Sequence, residues 1–346
     1  MTIRSNFKQL KKKIKIGINC YLGRTFIPHI RTILSIEPSS ICNLKCSFCA
    51  YDKKTAPRTL MPNRFFFDVV EQAVEMGYTH FGLTPITGEL FTDKNVMDKI
   101  EFLENHPKVK TFGFFTNGTM LDENKTKRLS KLSKLAYMGI SIYGYDRHSF
   151  MATTKSTPHV YQCLVNNLQT LYSVRDKFKG RLQIYWRIRS HGSPSQKNDD
   201  SSLVDILKKL KEDKNIPFYF TKQFNNWGGL VTQKNVDELG INIRQTKDVY
   251  KKGPCRLLFY KQEIMADGRV NACACRDANA TLCIGDLKQT PLKEVLSVRN
   301  KQYMQLIEEQ QNDKFNAICQ SCDFYKSIYQ PSHRYMMTLE EFFQGL

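Results

Sequence analysis

The first 36 residues contain no acidic side chain at all. Nowhere in the 346-residue chain does an apolar run approach the roughly 18 positions that a membrane-spanning helix needs. The opening MTIRSNFKQLKKKIKIGINC also lacks the apolar core and small-residue cleavage site of a secretory signal. The expectation is a cytoplasmic protein, peripheral at a membrane surface at most. Thiols stay reduced in that compartment, so the eleven cysteines point to metal or redox chemistry and away from disulfides. A hydrophobic share of 41% with 25% charged residues excludes a disordered chain and fits an ordinary globular one.

Positive charge, by contrast, is abundant. The formal net charge is +19, and Arg4, Lys8, Lys11, Lys12, Lys13, Lys15, Arg24 and Arg31 all fall in the acid-free start. Phe7, Leu10, Ile14 and Ile18 recur among them at helical spacing. As a basic amphipathic helix this segment would rest on an anionic membrane surface or a polyanion. As a solvated arm it would only cover one end of the fold. Net charge bears on partners, and a phosphate-bearing substrate fits as well.

Further along, β-rich runs alternate with helical patterns. The runs TILSIE (32–37), HFGLTP (80–85), VKTFGFFTNG (109–118), YMGISIYG (137–144), LQIYWRIRS (182–190) and FYFTKQF (218–224) read as strands. Helical spacing fills 65–76, closed by Gly77, and the stretches near 93–105, 122–134, 159–178 and 202–213. Such alternation calls for a parallel sheet with right-handed crossovers. Six units fall short of the eight in a full barrel, so the expected fold is α/β, a partial (β/α)6 TIM barrel. Its site then belongs where strands end and loops begin.

The densest chemistry sits at the first such junction. ICNLKCSFCA places Cys42, Cys46 and Cys49 within eight positions, with no histidine nearer than His29 and His80. A closed zinc site needs four ligands. Three thiolates around a cubane [4Fe–4S] cluster would leave one iron free to bind a small molecule.

With its aromatic Phe48 before the last thiol, and its place after the first strand, Cys42-x-x-x-Cys46-x-Phe48-Cys49 resembles the signature of the radical S-adenosylmethionine (SAM) superfamily. The resemblance implies that the open iron chelates S-adenosylmethionine. The cluster then cleaves it reductively to a 5′-deoxyadenosyl radical, which abstracts a substrate hydrogen. Thr87-Gly88-Glu89 resembles the family motif whose backbone and acid hold the methionine amino group, with Thr87 in place of its first glycine. Asn117 in FFTNG and Ser141 in ISIYG match cofactor-contacting positions, Ser141 facing the ribose. Arg187 and Arg189 share a strand face, and two guanidiniums there need an anion, either the cofactor carboxylate or a substrate phosphate. Asn225, Asn226 and Trp227 are weaker candidates for the adenosine pocket.

A second thiol set, Cys255, Cys273, Cys319 and Cys322, closes the sequence, with an Asp267-Gly268 hairpin turn before Cys273 and a C-x-x-C at its end. It resembles the SPASM/Twitch extension of this superfamily. No cysteine follows Cys322, which implies the shorter Twitch form with one auxiliary [4Fe–4S] cluster. Cys275 and Cys283 are alternative ligands, and four thiolates with a C-x-x-C are equally a zinc pattern. Cys20 and Cys163 read as ordinary buried residues.

The expected organisation is a basic arm (1–31), the barrel (32–230), a cysteine-rich auxiliary domain (231–330) and a tail (331–346). The resemblance implies an oxidoreductase served by a flavodoxin or ferredoxin. Only about thirty residues precede the first strand, short of the leader-binding module of peptide maturases. The expectation is therefore oxidation of a carbohydrate, nucleotide-sugar or related small molecule, with the auxiliary cluster as electron acceptor. The alternatives are a peptide- or protein-modifying maturase and a non-catalytic basic metal module for nucleic acid. The barrel and Gly88-Glu89 disfavour the last. No residue is assigned as catalytic acid or base.

Overall fold

The computed structural model describes residues 3–28, 33–187, 200–220, 223–240, 242–331 and 338–344, with backbone alone at 3–5, 185–187, 220, 223 and 248. A basic helix α1 (Ile3–Tyr21) precedes β1 (Ile33–Ile36). Helices and strands then alternate as α2 (Asn63–Glu75), β2 (His80–Gly82), α3 (Val96–Asn105), β3 (Thr111–Thr116), α4 (Glu123–Leu129) and β4 (Leu135–Tyr143). The series continues with α5 (Arg147–Thr154), α6 (Pro158–Val174), β5 (Arg181–Arg187), α7 (Ser202–Glu212) and β6 (Phe218–Phe220). Strands β1 to β6 pair in chain order and in parallel, the six-unit partial barrel that the alternation predicts.

Local chemistry explains the helices. In α2, Phe66, Val69, Val70, Ala73 and Val74 are buried at helical spacing, and Gly77 beyond its end takes a φ of 92°. Helix α6 has Thr157 as N-cap, accepting from Val160 N, and Pro158 in its first turn. Its Tyr161, Leu164, Val165, Leu168 and Leu171 face the sheet, each such side chain worth about 1.5–3 kcal/mol of burial. Two boundaries differ from expectation. Helix α4 stops at Leu129, where a turn through 130–134 leads into β4, two residues earlier than the predicted strand. The predicted strand 218–224 is divided, β6 ending at Phe220 and a short β7 (Gln223–Phe224) pairing instead with β8 (Asn242–Ile243).

The C-terminal segment does not stand apart. After α8 (Leu257–Tyr260), strand β9 (Glu263–Ile264) runs parallel to β1, placing Ser35 opposite Glu263 and Ile36 opposite Ile264. The predicted Asp267-Gly268 turn, with Gly268 at φ 96°, returns the chain as β10 (Arg269–Asn271), which pairs with β9 and with β11 (Cys283–Asp286). The result is one nine-stranded sheet, with the hairpin continuing the barrel beyond β1. Helices α9 (Leu292–Val295), α10 (Lys301–Gln311), α11 (Ala317–Ser321) and α12 (Leu339–Gln344) complete the fold.

A buried ion pair pins the loop after β2. Lys99 on α3 bonds to Asp93, whose other oxygen accepts from Asn95 N at 2.9 Å, and both side chains are almost wholly excluded from water. Removing one partner strands a buried charge. Lys99→Ala should therefore cost about 3–5 kcal/mol, read as a lower urea midpoint at unchanged slope, and Asp93→Asn in the same chain should recover part of it.

Candidate active site

Three loops at the carboxyl edge of β1, β2 and β3 build the site. The Cys42–Cys49 loop is strapped to the end of α5, with Lys45 N donating to Thr154 O at 3.0 Å and Ser47 N to Thr153 O at 3.1 Å. Cys49 N closes a turn onto Cys46 O at 3.0 Å. The loop after β2 meets it where Glu89 N donates to Ile41 O at 2.7 Å. Gly88 is obligatory at this crossing, because a Cβ there would lie 2.1 Å from Ser39 O. Glu89 is fully buried. Its Oε1 accepts from Thr116 Oγ1 at 2.6 Å and Phe91 N at 3.3 Å, and its Oε2 from Asn117 N at 2.7 Å. Burial raises its pKa, while these donors pull it back. Asn117 Nδ2 donates to Asn43 Oδ1 at 3.0 Å, joining the third loop to the first.

These loops open into a cavity of about 500 Å³. Cys42, Cys46, Cys49, Phe48, Gly88, Glu89, Asn117 and Ser141 all line it. Phe115 and Tyr137 line it too, and Gly139 makes room for the Phe115 ring, which lies 2.5 Å from where a Cβ would project. Phe48 packs on Phe224 and Tyr143 with ring centres 4.7 and 5.0 Å away, and its carbonyl accepts from Trp227 Nε1 at 3.0 Å. Asn225 and Trp227 line the cavity. Asn226 does not; its Nδ2 instead donates to Thr246 Oγ1 at 2.9 Å and Ser321 O at 2.6 Å, tying the barrel to the C-terminal segment. Arg187 is described in backbone only, at the end of β5 opposite Tyr143, and Arg189 lies outside the described residues.

The second thiol set gathers behind the same cavity. Burial, reinforced by Cys255 and Cys322, pushes Cys319 up to about 12. Burial also takes Cys255 to about 12, with Cys322 and Cys275 adding to the effect. Cys273 is raised by burial and by Cys275 and Cys255 beside it. Cys275 thus stands among these thiols and also lines the barrel cavity. Cys283 does not join them; its Sγ donates to Gly285 O at 3.3 Å on β11. Cys20 and Cys163 are only half-buried, and Cys163 Sγ lies 3.6 Å from His159 Nε2.

The donors fit iron–sulfur clusters. Both sets are buried or half-buried thiols, with N–H groups aimed at sulfur: Leu44 N to Cys42 at 3.5 Å, Phe324 N to Cys322 at 3.2 Å and Gln310 Nε2 to Cys319 at 3.3 Å. Gln310 also accepts from Cys255 N at 2.8 Å, so one buried amide serves two thiol segments. Among the described residues, no three His, Cys, Asp or Glu side chains gather tightly enough for a single ion, and a multi-iron cluster spreads its thiolates more widely.

A three-thiol loop over a partial parallel barrel, with a second thiol set gathered in the segment whose hairpin continues its sheet, defines the class. The family model described as the radical SAM superfamily matches residues 36–177, and the SPASM model, an iron–sulfur cluster-binding domain, matches 255–323. The chain belongs to the radical SAM superfamily and carries a SPASM-type domain; it is an enzyme whose cofactors are S-adenosylmethionine (AdoMet) and [4Fe–4S] clusters. No curated protein sequence matches it. Its fold is similar to that of BtrN, solved with AdoMet and 2-DOIA, at TM-score 0.55 and 14% identity over 90% of this chain and 100% of that one. It is likewise similar to anSMEcpe with bound AdoMet, at 0.53 and 15% over 91% of each. Streptococcus suis SuiB bound to precursor peptide SuiA gives 0.53 and 16% over 82% of this chain and 66% of that one.

Sequence reading missed the wall opposite the barrel thiols. Tyr260, Lys261, Glu263 and Arg276 line the cavity from the C-terminal segment. Glu263 is buried and its Oε1 has no hydrogen-bond partner. Arg276 lies between the Trp227 and Phe324 rings, 5.0 and 4.6 Å from their centres. No local pattern marks these residues; only the pairing of β9 with β1 brings them in.

Glu37, just beyond β1, is a second buried acid, with Oε1 accepting from Ile86 N at 3.1 Å and Oε2 from Ala266 N at 3.4 Å. Burial raises it from 4.5 to about 7, against the pull of Lys54 and these two donors. A carboxyl with a raised folded pKa loses stability as pH climbs from the unfolded value to the folded one, and no more above it. Glu37→Gln, a mimic of the neutral form, should match wild type near about pH 5 and exceed it at about pH 8 by up to about 3 kcal/mol. Urea midpoints at the two pH values check this.

Proposed function

We propose that the enzyme oxidises an alcohol carbon of a carbohydrate, nucleotide-sugar or related anionic small molecule. In this reading Cys42, Cys46 and Cys49 hold the AdoMet-binding cluster, and Cys255, Cys273, Cys319 and Cys322 hold an auxiliary one. The observation that carries it is that one cavity is lined both by the three barrel thiols and by Cys275 beside the second set. When bound, AdoMet and the clusters supply substrate hydrogen abstraction and accept the electron left behind. The chain supplies binding and orientation. Glu89, kept in place by Thr116 and Asn117, receives the AdoMet amino group, and Gly88 lets the backbone close around it. Ser141 and Phe48 border the nucleoside. Arg187 and Arg189 are the proposed partners of a carboxylate or phosphate. Lys261 and Arg276 offer cationic donors, and the unpartnered oxygen of Glu263 an acceptor, to a hydroxyl-bearing anionic substrate. A flavodoxin or ferredoxin is the proposed electron donor.

Iron and sulfide counts after anaerobic reconstitution test the ligand sets. About eight irons per chain should fall to about four when Cys42, Cys46 and Cys49 are replaced together by alanine. A wild type holding only about four would leave the second thiol set without a cluster. In the folded Cys319→Ala/Cys322→Ala variant, oxidised product should vanish while uncoupled 5′-deoxyadenosine persists. Unchanged product there would remove the electron-accepting role.

Substrate class is tested by substrate-dependent 5′-deoxyadenosine formation across sugar, nucleotide-sugar and peptide panels; a response to peptides alone would make the enzyme a maturase. With a responsive sugar, Glu263→Ala, which removes the acceptor, should raise KM by about three- to tenfold, the loss of one hydrogen bond, while leaving uncoupled AdoMet cleavage intact.

A further inference from the structure

Helix α1 is docked by one face and bare on the opposite one. Ile16 and Asn19 are buried, and Asn19 Nδ2 donates to Tyr329 O at 3.0 Å. Beyond the helix, Phe26 N donates to Ile328 O at 2.7 Å and Ile27 is wholly buried. The segment is therefore fixed to the body of the protein as a rigid helix with a defined outward side.

That outward side is apolar. At about 100° per residue, Phe7, Leu10, Ile14, Ile18 and Tyr21 fall within about 80° of one another, roughly opposite Ile16. Their exposures are 58%, 53%, 53%, 52% and 91%, and Leu22 extends the stripe at 50%. Single exposed apolar residues are unremarkable in any protein, but a continuous stripe from Phe7 to Tyr21 along one helix is not. Lysines frame it: Lys8, Lys11 and Lys15 on one flank and Lys13 on the other, all exposed. Lys11 Nζ stands 4.7 Å over the Phe7 ring. Among the described residues, none of these four is paired with a carboxylate.

We propose that α1 docks the enzyme on an anionic phospholipid bilayer, lying in the interface plane with the stripe at the acyl boundary and the lysines against lipid phosphates. Both halves of the surface are used in this arrangement. Nucleic acid would engage the lysines and leave the stripe in water. A second copy would cover the stripe but crowd two sets of unpaired lysines together. The helix lies on the bilayer and does not cross it: no helix among the described residues is long and apolar enough to span one.

Co-sedimentation of the full reconstituted enzyme with vesicles decides the matter. Binding to mixed phosphatidylcholine–phosphatidylglycerol vesicles should exceed binding to phosphatidylcholine alone by about tenfold or more and weaken with salt. Leu10→Ser with Ile14→Ser should reduce it by about tenfold or more. Lys8→Gln, Lys11→Gln and Lys15→Gln together should remove most of its salt sensitivity. Unchanged iron content and AdoMet cleavage show that both variants fold. The proposal fails if wild type ignores the anionic vesicles, if the serine variant binds as well as wild type, or if the chain is a dimer that the serine substitutions convert to monomer.

Discussion

A carboxylate with no water around it must be surrounded by donors, and the catalytic face is organised around that requirement at Glu89. Its oxygens take a hydroxyl and two backbone N–H groups from the turn after β2 and the end of β3, while its own N–H is held by the cysteine loop. Three loops that share no sequence proximity therefore have one common arrangement. The surrounding residues follow from it. Gly88 must be glycine because the cysteine loop's backbone passes so close, and Asn117 can reach Asn43 because Glu89 fixes its backbone.

The second organising feature is the edge of the sheet. Strand β1 begins the barrel, and an uncovered first strand would present unpaired backbone groups. Here β9 covers it in parallel, and β10 and β11 continue outward. Covering the edge also sets the chemistry, because the strand that pairs with β1 brings Glu263 to the cavity and the return strand leads directly to Cys273 and Cys275. Trp227 donating to Phe48 O and Asn226 donating to Ser321 O tie the far side of the same interface. The barrel thiols and Cys275, beside the second set, line one space because the SPASM-type segment extends the barrel's own sheet.

Legibility in the sequence tracks the range of the interactions. Helices α2 and α6 were readable because their caps and apolar spacing are local, and so was the Asp267-Gly268 turn. The first three thiols announce themselves by crowding. Strand β9 did not, since two residues in a ladder carry no period, and its place beside β1 joins positions more than two hundred residues apart. The partners of the second thiol set were hidden for the same reason: Gln310 on α10 is an unremarkable polar residue until it bonds at once to Cys255 and Cys319. The amphipathic pattern of α1 was legible, but which side would be covered depended on Tyr329 and Ile328 at the other end of the chain.

The buried carboxylates next to the cavity argue independently that this space is functional. Glu37 lies just past β1 and Glu263 on the paired strand, where burial and then the Glu37 charge oppose Glu263's ionisation. Apolar residues of similar volume would hold the sheet at least as well, because burying an acid costs more than its partial compensation by Lys54 and backbone donors returns. Glu37 has some of that compensation. Glu263 keeps an oxygen without a protein partner on the cavity wall. A fold that retains so unfavourable a group, on a cavity lined by the barrel thiols and Cys275, is arranged for a ligand that brings its own hydrogen-bond donor.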